Sequence, residues 1–273
     1  MIYINSIGDK INKVTTVYFS DLLRTQHPAL FSNLKSILNR HHYEVKTLKE
    51  TKDIWIRDFM PLVFDDKCIQ YRYEPDYLMK PSLLQYRTDP NDSIKELGIL
   101  TEKIKLILDG GNVVKAYDTA IMTDKVFEEN LNINFEDIQE IFPLQKLIII
   151  PRDPDIEEVY GHADGMVRFI SENHLLVNSQ YPDNFKNKLH TRLRKAGFKY
   201  TELKMKEDTK YAWGYINFLH LDKLIIQPSI DKVNDAYVKD QLETLYPDVT
   251  VELCDAKALV KKGGVFNCIS WEL

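Results

Sequence analysis

The segments DKLIIQPS (222–229), NDAYVKDQLETLY (234–246) and VTVELC (249–254) read as strand, helix and strand, and GGVFNCISWEL (263–273) adds a glycine-rich turn and another short strand. The first is an aliphatic run of strand length. The second spaces its apolar residues for one helix face, and the third alternates apolar and polar residues. Working outward, the same order recurs. Strand-like runs open at Thr15 (TTVYFS), Lys67 (KCIQYRY), Thr119 (TAIMTD), His174 (HLLVNS) and Asp222, at intervals of 52, 52, 55 and 48 residues. Helix-like segments follow four of them, as in HPALFSNLKSILNRH and NFKNKLHTRLRKAG; the second unit is less regular, with its helix expected at NDSIKELG. A second strand-like run comes next in each unit: YEVKTL, IKLIL, KLIII, FKYTELK and VTVELC.

Each unit ends on a polar or glycine-rich segment: WIRDFMPLVF, LDGGNVVKAY, YGHADGMVRFI, WGYINFLHL and GGVFNCISWEL. Aligned, these place Asp58, Asp109, His162 with Asp164, Asn217 and Cys268 at one phase, with spacings of 51 (58 to 109), 55 (109 to 164), 53 (164 to 217) and 51 (217 to 268). Period detection takes precedence over local assignment, because a repeat sets the architecture. Helices alternating with strands imply an α/β class. Five such units can close into a ring, which removes exposed sheet edges. The shared phase would then gather at one central mouth. No linker or low-complexity tract separates the units, so a single domain over residues 1–273 is expected.

Composition narrows the function. The 273 residues are 44% hydrophobic and 28% charged, ordinary for a globular protein and against disorder. Lys and Arg number 36 and Asp and Glu 41, so the formal charge is 36 − 41 = −5. That lacks the basic footprint of a nucleic-acid binder and favours a cationic small molecule. No apolar run reaches the ~20 residues of a bilayer span, and no secretory signal is visible at the start. Cys68, Cys254 and Cys268 have no CxxC spacing, which argues against disulfide or thiolate-metal frameworks and for a reducing compartment. A cytoplasmic protein without nucleic-acid or membrane partners is expected.

The chemistry is carried by the phased residues. Cys68 and Cys254 sit in apolar strand patterns and read as core. Cys268 follows Gly263-Gly264, which permit close backbone approach, and is either core or nucleophile. His162 and Asp164 are bracketed by glycines; if extended, they share a face. His162 is then a proton shuttle or a turn histidine bonded to a carboxylate. HxD supplies two ligands and no HExxH partner exists, so no metal is expected. Asp58 could pair with Arg57 or cap a turn, and Asp109 could be an ordinary turn aspartate. Asp58, Asp109 and Asp164 in one mouth would repel unless a cation sat among them. A planar guanidinium matches carboxylates through its fork of donors, and Trp55 could offer a π face. Thiol, imidazole and carboxylates together suit attack on an electrophilic carbon of a cation. No GxSxG, Walker A or GxGxxG motif supports acyl or nucleotide chemistry.

At these residues the chain resembles the agmatine deiminase and bacterial-type peptidylarginine deiminase family of the pentein superfamily. The resemblance rests on DIWIRDFMP, LDGGNVV, GHADGMVRF, WGYINF and GGVFNCIS, in order from Asp53 to Ser270. It implies a five-bladed α/β propeller with pseudo-fivefold symmetry and cofactor-free guanidine chemistry. It also implies that Cys268 is the nucleophile, His162 the general acid and base, and Asp58 and Asp164 guanidinium-binding carboxylates. Asp109 corresponds to the acidic residue before the paired glycines. Catalytic roles are thus expected for Cys268, His162, Asp109 and Asp164, and substrate contacts for Asp58, Trp55, Arg57 and Asn217. Asn267 stands where many relatives carry His. The expected reaction converts a guanidino substrate to a ureido product and ammonia, with an amidinotransferase or a non-catalytic interaction protein as alternatives. A homodimer is a family-level expectation.

Overall fold

The five aliphatic runs become the central strands of five three-stranded sheets in the computed structural model, which describes residues 16–64, 67–154 and 160–273. Thr15, where the first run was expected to open, lies outside the described residues. The central strands are Thr16–Ser20, Cys68–Arg72, Thr119–Thr123, His174–Asn178 and Leu224–Ser229. Each pairs in parallel with the second run of its own unit: Glu44–Leu48, Thr101–Ile107, Lys146–Ile150, Lys199–Leu203 and Thr250–Asp255. Parallel neighbours need a crossover, and the helical segment between the two runs supplies it. The other edge of each central strand takes a short antiparallel strand: Trp271–Glu272, Leu62–Val63, Val114–Ala116, Val167–Ser171 and Leu219–Leu221.

Three crossover helices are regular, and each starts or packs for a visible reason. Pro28–Arg40 has proline in its first turn and buries Phe31, Leu34, Ile37 and Leu38 on one face, in one core cluster with Ile225, Ile226 and Val251 of the fifth sheet. Lys232–Leu245 is capped by Asp231, whose side chain accepts from the Asn234 N–H. Asp183–Lys195 buries Phe185, Leu189 and Leu193. In the second unit Pro90–Leu97 forms where the sequence placed it, ended by Gly98 at φ 65°. The third unit departs from expectation: its crossover splits into Lys125–Glu129 and Phe135–Ile141. Asn130 stops the first piece, its Nδ2 donating to Val126 O and Ile107 O at 2.8 Å each. An Asn134–Asp137 capping box starts the second.

The ring closes between the ends of the described chain. Trp271–Glu272 pairs with the first strand, Val17 opposite Glu272 and Tyr18 opposite Trp271. Trp271 is 1% exposed, and its Nε1 donates to Pro61 O at 2.7 Å, tying the first sheet to the turn that opens the second. Trp271→Ala is expected to cost about 3–5 kcal/mol, as for other buried aromatics truncated to alanine. Urea unfolding checks it; a loss under about 1 kcal/mol would show that this strand does not hold the ring shut.

The phased polar segments all occupy the joint between the parallel strand of one sheet and the short strand of the next. They are compact turns rather than extended chain: Ile56–Phe59, Gly110–Asn112, Ala163–Gly165, Ala212–Ile216, and the turn from Gly263 to Ser270. The extended arrangement considered for His162 and Asp164 is therefore replaced by a 3-10 turn with His162 just before it.

Candidate active site

Cys268 is placed by backbone contacts from two other joints. Arg57 N–H donates to Cys268 O at 3.1 Å, and Asn267 N–H donates to Asn217 O at 3.1 Å. The paired glycines ahead of it are required. A Cβ on Gly264 would fall 2.4 Å from the Trp55 ring, and one on Gly263, at φ +89°, would fall 2.5 Å from the Tyr160 ring. The thiol faces two acceptors, Asn217 Oδ1 at 3.2 Å and Asp164 Oδ2 at 3.6 Å. Asn267 Nδ2 donates to the same Asp164 oxygen at 2.6 Å, so the carboxylate is oriented by the neighbour of the cysteine.

His162 is held between two carboxylates. Its Nε2 lies 3.0 Å from Asp109 Oδ2, and its Nδ1 lies 3.6 Å from Asp58 Oδ1. Asp58 is itself fixed: Gly111 N–H donates to Oδ1 at 3.1 Å and Tyr77 OH donates to Oδ2 at 3.1 Å. Gly111 is obligatory here, since a Cβ would sit 2.7 Å from both Asp58 Oδ1 and His162 Nδ1. Its neighbour Gly110 clears the Arg57 carbonyl, which a Cβ would strike. His162, Asp164, Asn217 and Cys268 line one cavity with Tyr160 and Trp213. Its volume is about 30 Å³, roughly one water molecule's share. Tyr160 and Asp153 also line a neighbouring cavity of about 1110 Å³ that reaches Tyr77, Lys80 and Lys188.

Electrostatics divide these groups into two states. Burial alone would strip His162 of its proton, but the Asp58 and Asp109 carboxylates outweigh it and hold the imidazole up at about 9. Burial pushes the Asp58 carboxyl up to about 6, against the pull of His162. Burial and the Asp164 and Asp58 charges push the Cys268 thiol well above its ordinary range. At neutral pH the site therefore holds an imidazolium, the ionised carboxylates of Asp58 and Asp109, and a protonated thiol. A cation seated between the carboxylates would reverse the last of these. Among the described residues no group of three or more His, Cys, Asp and Glu is disposed to hold a metal ion.

Of the residues expected from sequence, Cys268, His162, Asp164 and Asn217 meet at the cavity, and Asp58 adjoins it through His162. Asp109 does not join the mouth. It is fully buried behind His162 and paired with the Lys125 ammonium at 2.7 Å, which answers the repulsion anticipated among three aspartates. Arg57 is a correction. Its guanidinium binds Glu272 at 2.6 and 2.8 Å and Asn267 O at 3.2 Å, and lines a different cavity, of about 900 Å³, beside Arg168 and His220. It braces the cysteine turn and is not placed to touch a ligand at the thiol. Trp55 is a second correction: its ring is spent on Gly264 and the core, and Trp213 is the indole at the cavity. Cys254 is buried and Cys68 half-buried in their strands, away from this cavity. Sequence reasoning missed Lys125, Tyr77, Tyr160 and Trp213. Tyr160 and Trp213, each the first residue of a phased segment, carried a positional signal; Lys125 and Tyr77 did not.

Known proteins align with this arrangement. The sequence profile of the Porphyromonas-type peptidyl-arginine deiminases matches residues 7–273. A Mycoplasma capricolum protein named "Putative agmatine deiminase" is 23% identical over 294 aligned positions, covering 88% of this chain and 79% of the relative. Among solved structures, agmatine deiminase of C. jejuni superposes with a TM-score of 0.75 at 17% identity, over 94% of this chain and 92% of its own. A structure titled as that of a "putative peptidyl-arginine deiminase" gives a TM-score of 0.75 at 17% identity, over 96% of both chains. These superpositions identify the five-sheet ring as the pentein fold. With 267 of its 273 positions, from 7 to 273, inside the family profile, the chain belongs to the Porphyromonas-type peptidyl-arginine deiminase family.

Proposed function

We propose that the protein is a guanidine deiminase that hydrolyses a small alkylguanidinium to a ureido product and ammonia through a covalent intermediate on Cys268. The relatives and structural neighbours described above are named as agmatine or peptidyl-arginine deiminases. One observation carries the reading. The thiol lies 3.6 Å from a carboxylate that would pair with the substrate's charge, in a cavity shared with a protonated imidazole.

The geometry supports the following course. A guanidinium enters between Asp164 and Asp58, whose oxygens match its planar N–H donors. Its positive charge offsets the carboxylates that hold the Cys268 proton, so the thiol ionises on binding and its proton leaves to solvent. The thiolate forms a bond to the guanidinium carbon. His162, an imidazolium held by Asp109 through Nε2, donates the proton that lets ammonia depart as the carbon–nitrogen bond breaks. The adduct is a thiouronium cation, and His162 is now neutral. It takes a proton from a water that attacks the same carbon. Breaking the carbon–sulfur bond restores the thiolate, and loss of the hydroxyl proton to the departing ammonia or solvent leaves the neutral ureido product. Two carboxylates and an oriented imidazole supply positioning and charge stabilisation.

A panel of agmatine, free arginine and arginine peptides, scored for ureido product, tests this reading. Turnover of at least one supports it, and inertness toward all of them contradicts it. A new guanidino compound formed with an added amine acceptor would instead identify an amidinotransferase.

The pH dependence follows from the same groups. Asp58 must be ionised, so activity falls as pH drops through about 6. His162 must be protonated, so activity falls again as pH rises through about 9. A bell-shaped kcat profile between those limbs is expected, since in the substrate complex the bound cation has already ionised the thiol; the limbs belong to the coupled cluster as a whole. A profile still rising beyond pH 10 would contradict the role of His162.

A further inference from the structure

Lysine is among the residues least often buried without a partner. Lys125 is 1% exposed, and its stem passes under the backbone of Gly161, where a Cβ would meet its Cδ at 3.5 Å. As the first residue of the helix Lys125–Glu129, directly after the strand Thr119–Thr123, it points back toward the joint carrying His162. Its ammonium lies 2.7 Å from Asp109 Oδ2, 3.2 Å from Glu129 Oε1 and 3.2 Å from Asp76 Oδ1. It also sits 5.2 Å from the centre of the Tyr77 ring. The Asp109 oxygen that Lys125 contacts is the one that holds His162 Nε2 at 3.0 Å. The other, Oδ1, is buried without a hydrogen-bond partner among the described residues. Two cations thus hold the carboxylate through one oxygen. With the ammonium gone, the imidazole would be the one remaining polar partner of that carboxylate among the described residues.

We propose that Lys125 is a positioning residue of the reaction centre, whose ammonium fixes the Asp109 carboxylate in the orientation that grips His162 by Nε2, opposite Asp58 at Nδ1. The role rests on the reading of His162 as general acid and base. Lys125 touches no reacting atom and acts through Asp109. Its charge also opposes the proton on His162, while Asp58 and Asp109 favour it. Other titratable groups nearby are Tyr77 and Tyr160 at its ring, Asp153, Asp164 and Cys268 on the cavity wall, and Arg152, whose stem lies beside Lys125 at Gly161. The Arg152 guanidinium is bound to Glu128 at 2.9 Å.

The test uses the full chain with Lys125→Met, which keeps the stem, and Lys125→Arg, which keeps the charge. In the Met variant kcat is expected to fall about 10- to 100-fold with KM little changed, the pattern of a misoriented acid. The high-pH limb of its profile is expected to move downward by about one unit, because a rotated Asp109 takes away the hydrogen bond and charge that support the imidazolium, which outweigh the opposing Lys125 charge, and Lys125→Arg should return the limb toward its original position. The NMR titration of ¹⁵N-labelled histidine, with His162 assigned from His162→Gln, should show the same downward move in the free protein. Unchanged limb and midpoint in Lys125→Met would overturn the proposal, even if folded yield fell. Should the Met variant fail to fold, Lys125→Gln, which keeps a donor without the charge, is read the same way. The titration needs no turnover. If the wild type acts on no guanidino substrate, the midpoint alone decides the role of Lys125.

Discussion

Cys268→Ala is expected to leave a folded protein with no measurable ureido product, a loss on the order of 10⁴-fold or more in kcat, as when a nucleophile acting within a catalytic unit is removed. The size follows from the mechanism: without sulfur there is no adduct, and hydrolysis would need direct attack of water on a resonance-stabilised guanidinium. The fold should persist. The thiol donates to Asn217 and Asp164, but both have other supports, from Asn267 Nδ2 on Asp164 and from the Asn267–Asn217 backbone bond. Removing one buried thiol costs about 1 kcal/mol, typical of point substitutions. Retained turnover at a tenth of the wild-type rate would remove the covalent mechanism.

Asp164→Asn should act on turnover and on the thiol in opposite directions. Turnover should fall about 10²–10⁴-fold in kcat/KM, corresponding to the 3–5 kcal/mol lost when one partner of a buried charge pair is removed. The free thiol should become more acidic, because the Asp164 charge is the strongest electrostatic influence holding its proton on. A neutral alkylating agent should therefore label Cys268 faster in Asp164→Asn than in the wild type at neutral pH. The Asn267 bond can survive, since an asparagine at 164 still presents one acceptor oxygen. A variant slower in both assays would show that Asp164 shapes the cavity without setting its charge.

Much of the ring was legible because its signals are local. TAIMTD, HLLVNS and DKLIIQPS are aliphatic runs of strand length bounded by polar residues, and their period exposed the phased joints. The third crossover was misjudged because Asn130 stops the helix by side-chain bonds to Val126 and Ile107, the latter far back in the chain. Arg57 illustrates the limit of adjacency. Beside Asp58 in the sequence, it turns to Glu272, 215 residues away, when the ring closes. Lys125 within TDKVFEEN looks like a solvated helix residue, and nothing near it announces that Asp109 and Asp76 converge on it from two other elements. Tyr77 lies in the irregular second unit, where no period pointed to Asp58. The candidate site was thus readable at the phased positions and hidden where long-range closure brings unphased residues in.

The most direct test is an acid-quenched reaction of wild-type protein with each of agmatine, arginine and an arginine peptide, followed by peptide mass mapping and by product analysis in ¹⁸O-labelled water. For the substrate that turns over, a thiouronium adduct is expected on the peptide containing Cys268, and the ureido oxygen should carry the water label. Ureido product formed with no adduct on that peptide, or an adduct on any other residue, would contradict the central claim.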